Sequence, residues 1–117
     1  MKISASVFFQ ITFLFLQKLV NLKFSKEYYN AYKQLPERLT EVYPDLNFDN
    51  HCYLRIALDN TLGAKWDTII ERPAYKNLNA EQSLMVRELL SSYEQDKELL
   101  LEHNRKSLEW RKKLKKS

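Results

Sequence analysis

Residues 79 to 95, NAEQSLMVRELLSSYEQ, decide the fold. Asn79 followed three residues later by Gln82 is a capping-box pattern, in which each side chain bonds the other's backbone N–H and satisfies donors that a helix start leaves open. Behind that start, Val86, Leu89, Leu90 and Tyr93 recur at intervals of three and four, marking one face of a helix. The pattern predicts an amphipathic helix over residues 80–95 that must lay this face against neighbours.

Reading outward, the next segment, DKELLLEHNRKSLEWRKKLKKS (96–117), opens at Asp96 and carries Leu100, Leu101, Asn104, Leu108 and Arg111 at helical spacing. Its apolar stripe weakens along the way, so fraying is expected near residue 117. On the other side, Asp49 or Asn50 caps a helix patterned by Cys52, Ile56 and Asn60, and Gly63 suits the left-handed residue that closes it. Between these helices the signals mix: β-branched Thr68, Ile69 and Ile70 precede Arg72-Pro73, which predicts an irregular connector around residues 64–78 with a short extended or helical piece. Further back, Pro36 suits the first position of a short helix, PERLTEVY, that Pro44 ends. Ser25 can cap an earlier helix through KEYYNAYKQL, with Tyr28, Tyr32 and Leu35 on one face. The expectation is an all-α fold, a small antiparallel bundle of four to five helices in a single domain spanning 1–117.

Composition agrees. One Gly and three Pro in 117 residues leave few positions for the positive φ and sharp turns that hairpins need. The same scarcity excludes the glycine-rich phosphate loop, the dinucleotide fingerprint and the nucleophile elbow, and with them the common glycine-loop enzymes of nucleotides and acetyl-CoA. Cys52 is the one cysteine, so no disulfide forms within these residues, and a reducing cytoplasm is the expected setting. Two histidines far apart give no zinc-ligand spacing, and no metal or other cofactor is expected.

The stretch ASVFFQITFLFL (5–16) imitates the apolar region of an export signal, but no small-residue cleavage pair follows it. At about 12 residues it is short of the roughly 20 that a membrane span needs. It reads instead as a buried or partner-facing helix with a weak polar stripe of Ser4, Ser6, Gln10 and Thr12, and residues 5–24 are a candidate interface for self-association.

Two groups of residues could carry function. In HCYLRIALDNTLGAKWD (51–67), His51, Arg55 and Asp59 stand four residues apart and would share a helix face. With Lys65, Trp66, Asp67 and Arg72 they make a candidate ligand site, in which His51 moves a proton, Arg55 grips an anion and Asp59 orients either. The plainer reading is a helix face with an Arg55–Asp59 pair worth about 0.2–0.5 kcal/mol. A buried Arg55 or Arg72 paired with Asp59 or Asp67 would instead tie the connector to the bundle. Trp66 then serves as a core or lid residue, and Cys52, on the apolar side, as a small hydrophobe.

The second group is the basic helix end, residues 104–117. Seven basic residues (Arg105, Lys106, Arg111, Lys112, Lys113, Lys115 and Lys116) stand against Glu109, a net +6, while the rest of the chain carries a net −2. Clustered cations displace counterions from phosphates, and Trp110 can stack on an unpaired base or sit at a lipid interface. The alternative is a solubilising helix end, where cations also suit the helix dipole.

Three expectations follow: a non-catalytic nucleic-acid-binding or accessory module acting through Arg105, Lys106, Trp110, Arg111, Lys112, Lys113, Lys115 and Lys116; a protein-interaction module self-associating through the apolar N-terminal helix; and a small enzyme or ligand-binding protein with its site at His51–Arg72. Catalysis has the least support, because neither a metal set nor a nucleophile pair is visible. A membrane partner ranks below nucleic acid.

Overall fold

The structure, a computed structural model, describes residues 31–115, with side chains as far as residue 112. The apolar run 5–16, the interface expected over 5–24, the Ser25 cap with Tyr28, and Lys116 lie outside the described residues. Those described form an all-α bundle of five helices: α1 (31–42), α2 (Asn50–Leu62), α3 (Ala74–Asn77), α4 (Ala80–Gln95) and α5 (Lys97–Lys115).

The two helices read most directly from sequence begin and end as their caps dictate. The Asn79 side chain accepts from Gln82 N at 2.7 Å and the Gln82 side chain accepts from Asn79 N at 3.0 Å, so α4 starts with a complete capping box. Asp49 opens α2 by accepting from Cys52 N at 2.9 Å. Gly63 closes it at φ +71°, a conformation other residues adopt only at a cost, and its N–H bonds the Asp59 carbonyl at 2.8 Å. Asp96 separates α4 from α5, and its carboxylate caps the latter through Leu99 N at 3.0 Å.

Helix α2 lies against both α4 and α5. Its buried Tyr53, Ile56 and Ala57 join Val86, Leu90 and Tyr93 of α4, Leu100 of α5, Tyr32 and Leu39 of α1 and Leu78 of the connector in one core. Two tyrosines, one in α1 and one just past its end, bond α4: the Tyr32 hydroxyl donates to the Ser83 carbonyl at 3.3 Å, and the Tyr43 hydroxyl to the Tyr93 carbonyl at 2.6 Å.

Two expectations need correction. Pro36 does not start a helix; it lies buried inside α1. An interior proline removes a hydrogen bond and crowds the preceding turn, at about 3 kcal/mol, yet the stripe of Tyr32, Leu35, Pro36 and Leu39 runs across it unbroken and packs into the core. Helix α1 stops at residue 42, two residues before Pro44, which opens a single 3-10 turn. The connector is irregular as expected, and its short piece is helical: a 3-10 turn at Trp66–Thr68 and the one-turn α3. In α5 the buried face is not the one carrying Leu101 and Leu108, which are 42% and 43% exposed; Leu100 and Ser107 are buried, with His103, Asn104 and Arg111 half-buried beside them. The helix turns a polar face inward because α2 presents Arg55, Asp59 and Asn60 to it.

Because α4 both opens with the capping box and supplies much of the core, Asn79→Ala is expected to lower stability by about 1 kcal/mol, read as a shift in the urea midpoint with unchanged slope.

A candidate anion-binding groove

The centre of the α2–α5 interface is Asp59, whose side chain has no solvent exposure. Its carboxylate accepts four hydrogen bonds: from Trp66 N at 2.9 Å, from the Ser107 hydroxyl at 2.6 Å, and from Nε and Nη2 of Arg111 at 2.9 and 3.1 Å. The Arg111 fork matches the carboxylate, and the remaining acceptor capacity is filled, as a buried charge requires. The ring of partners links α2 to the connector through Trp66 and to the last turns of α5 through Ser107 and Arg111.

Arg55 is the second guanidinium at this interface. Its Nη1 donates to Ser107 Oγ at 2.8 Å and its Nη2 to Asn104 Oδ1 at 2.9 Å. Both acceptors are neutral, and among the described residues no carboxylate lies within ion-pair distance of Arg55. The expected Arg55–Asp59 pair therefore does not form; Arg111, 52 positions from Asp59, takes that place. Asn60 adds a bond to the His103 carbonyl at 2.9 Å, and the buried Tyr93 hydroxyl meets His103 Nδ1 at 2.7 Å.

Of the seven residues in the candidate ligand site, four converge. His51, Arg55, Trp66 and Arg72 line one groove of about 360 Å³, together with Asp49, Cys52 and Arg111. Asp59 supports it from beneath. Lys65 and Asp67 do not line it; Asp67 pairs with Arg72 at 2.7 Å and with Lys65 at 3.8 Å, and Arg72 foremost holds its carboxyl below the usual range. The pair fixes Arg72 over the Trp66 ring, 5.3 Å from its centroid. Asp49, the acid at the groove's edge, is engaged by Cys52 N, which holds its carboxyl low.

The basic end is divided. Arg111 belongs to the interface and the groove, and Arg105 is clamped between Glu102 at 2.7 Å and Glu109 at 3.1 Å. Lys106 and Lys112 are exposed and Trp110 is half-buried; Lys113 and Lys115 continue α5. Sequence reasoning set Asn104 and Arg111 on the stripe of α5 without a partner for either, and missed Ser107. Their spacing at i, i+3 and i+7 is itself a polar stripe that complements the one on α2. Among the described residues no cluster of His, Cys, Asp or Glu could hold a metal ion, and no helix is long and apolar enough to cross a membrane.

Comparison of the chain with protein-family models, curated proteins and solved structures finds no match.

Two predictions separate the buried network from the exposed one. Arg111→Ala strands the Asp59 carboxylate without its counterion and should cost about 3–5 kcal/mol, whereas Arg105→Ala, whose ion pairs lie in solvent, should leave the urea midpoint within error. Burial, followed by Lys106, pushes the His103 imidazole below its ordinary value, against a smaller upward pull from Glu102. The unfolded chain therefore binds more protons there than the folded one, so stability is full above the ordinary imidazole range and falls as pH drops from about 7 toward 5. In His103→Asn that part of the pH profile should flatten, as measured by urea unfolding at each pH.

Proposed function

We propose that this chain is a small non-catalytic nucleic-acid-binding or accessory module of the reducing cytoplasm, which holds phosphates with the basic end of α5 and the groove beside it. One observation carries this reading. The groove gathers Arg55 from α2, Arg72 from the connector and Arg111 from α5 into one concavity, and among the described residues no acid contacts Arg55 there.

Sequence alone leaves the basic end and the polar cluster as separate candidates; Arg111 belongs to both. The cations that follow from this union are Arg55, Arg72 and Arg111 in the groove, with the exposed Lys112 next to Arg111 along α5. Such a group suits a polyanion, because each phosphate neutralised releases counterions. Trp66 and Trp110 supply rings on which an unpaired base can stack.

Cutting the chain after Asn104 would remove Ser107 and Arg111 and with them three of the four hydrogen bonds to Asp59, so charge removal is the informative change. Lys106, Lys112, Lys113, Lys115 and Lys116 are replaced together by Gln, leaving Arg111 in place. Binding of the intact chain to short DNA and RNA is expected to weaken steeply with salt, and the five-lysine variant to lose about tenfold or more in affinity at low salt with a shallower slope. Equal affinity of variant and parent, or no binding by the parent at 50 mM salt, about the lowest ionic strength at which non-specific contacts are routinely compared, would reject the reading.

A further inference from the structure

The groove does not end at its cations. Beside it lies a larger cleft of about 570 Å³ between α1, the start of α2 and the connector, and the two concavities share Leu54, Leu58, Trp66, His51 and Arg72. They are two ends of one depression. The larger end is walled mainly by apolar and aromatic side chains: Tyr32, Pro36, Leu54, Trp66, Pro73 and Tyr75. The smaller end carries Arg55, Arg72 and Arg111, with the Asp49 carboxylate at its edge.

A ligand that fits both halves has a strong anion at one end and a flat, largely apolar body at the other. Ligand pockets of about 300–1,000 Å³ with a few placed polar groups are of the size that encloses one small molecule. The chemistry of the cationic end favours a phosphate. Arg55 is held at both terminal nitrogens by Ser107 and Asn104, which fix the plane of the guanidinium without neutralising it. Arg72, already paired with Asp67 at 2.7 Å, stands over the Trp66 ring, so it brings oriented N–H donors rather than an uncompensated charge. Guanidinium groups held in place lose little freedom on binding an oxyanion. At the other end, the rings of Trp66 and Tyr75 offer stacking surfaces that are indifferent to which base they meet.

We propose that this two-part depression is a binding site for a single nucleotide unit, its phosphate at Arg55 and Arg72 and its base in the apolar cleft. The unit is either a free mononucleotide or an unpaired residue of a strand; in the second case the inference rests on the nucleic-acid reading above, and it then makes the preferred nucleic acid single-stranded. A base inside a duplex is stacked and paired, so it cannot enter the cleft without being flipped out.

The test uses the whole chain and follows the Trp66 indole N–H and neighbouring amides by NMR during titration with adenosine monophosphate, inorganic phosphate, a short single strand and the matching duplex. The mononucleotide is expected to move signals around both halves and to bind about tenfold or more tightly than phosphate, the difference being the stacking contribution. Tyr75→Ala and Arg55→Gln should each weaken it about tenfold, from the base end and the phosphate end respectively. If Arg55→Gln fails to fold, Arg72→Gln, altered on a side chain 73% exposed, takes its place. The five-lysine variant should bind the mononucleotide like the parent.

A single strand that binds and displaces the mononucleotide, while the duplex does not, identifies the unpaired residue as the source. Mononucleotide binding that no strand displaces identifies the free nucleotide, and leaves the site standing where the polyanion reading has failed. Phosphate binding as tightly as the mononucleotide, with Tyr75→Ala silent, overturns the proposal by showing an anion site alone. Single strand and duplex binding equally through the lysines, with no response to the mononucleotide, overturns it while the nucleic-acid reading survives.

Discussion

Donors from two distant segments close on the carboxylate of Asp59, and the arrangement of the bundle around α2 follows from what that carboxylate needs. A buried, ionised carboxylate is tolerated only when a counterion and hydrogen-bond donors replace the water it has left. The Trp66 amide supplies one donor from the connector, and Ser107 and Arg111 supply the rest from α5. Neither source can move far without stranding the charge. The connector, which has no long helix to stiffen it, is therefore anchored at Trp66, and α5 is held in rotation so that Ser107 and Arg111 face inward while Leu101 and Leu108 face out. An apolar seam could have joined these helices with comparable stability; a charged one makes the pairing intolerant of register shifts, because a slip leaves Asp59 unpaired.

That constraint changes the meaning of the basic end. A lysine- and arginine-rich helix terminus is ordinarily a solvated appendage that owes little to the fold. Here Arg111 is structural, Arg105 is clamped by acids of its own helix, and Lys106 and Lys112 stay exposed. The described cations of the basic end are thus divided among three roles, and of these only Arg111 is tied to the core.

What the sequence made legible was local. The caps at Asp49 and Asn79, the Gly63 stop and the apolar face of α4 are each decided by residues within one or two turns, and the structure has them where the spacing predicts. The continuity of α1 through Pro36 was not legible, since local propensity argues against it and only packing of Tyr32 and Leu39 into a distant core argues for it. The inward face of α5 was hidden for the same reason: Leu101 and Leu108 outrank Asn104 and Ser107 on any hydrophobic scale, and the inversion becomes visible only once Arg55 and Asp59 are known to lie opposite. The candidate site was half legible. His51, Arg55, Trp66 and Arg72 do converge, but the partner of Asp59 sits 52 positions away, and no spacing rule reaches that far.

The charge that Arg55 brings to the groove depends on two positions of α5. Asp59 contributes one negative charge, which Arg111 takes up bidentately. Arg55 then needs acceptors to hold its guanidinium in a half-buried place, and an aspartate or glutamate at 104 or 107 would have met that need while cancelling the charge. Asn104 and Ser107 meet it without cancelling anything. A neutral acceptor orients a guanidinium and leaves its field intact; a carboxylate orients it and removes the field. Positions 104 and 107 accordingly set whether Arg55 keeps its charge, while position 59 sets how α5 is held against α2. Since Ser107 also donates to Asp59 at 2.6 Å, its hydroxyl is the point where these two functions meet. Alanine there would weaken the support of the carboxylate and the hold on Arg55 together, whereas Asn104→Ala would loosen Arg55 alone and leave the framework around Asp59 in place.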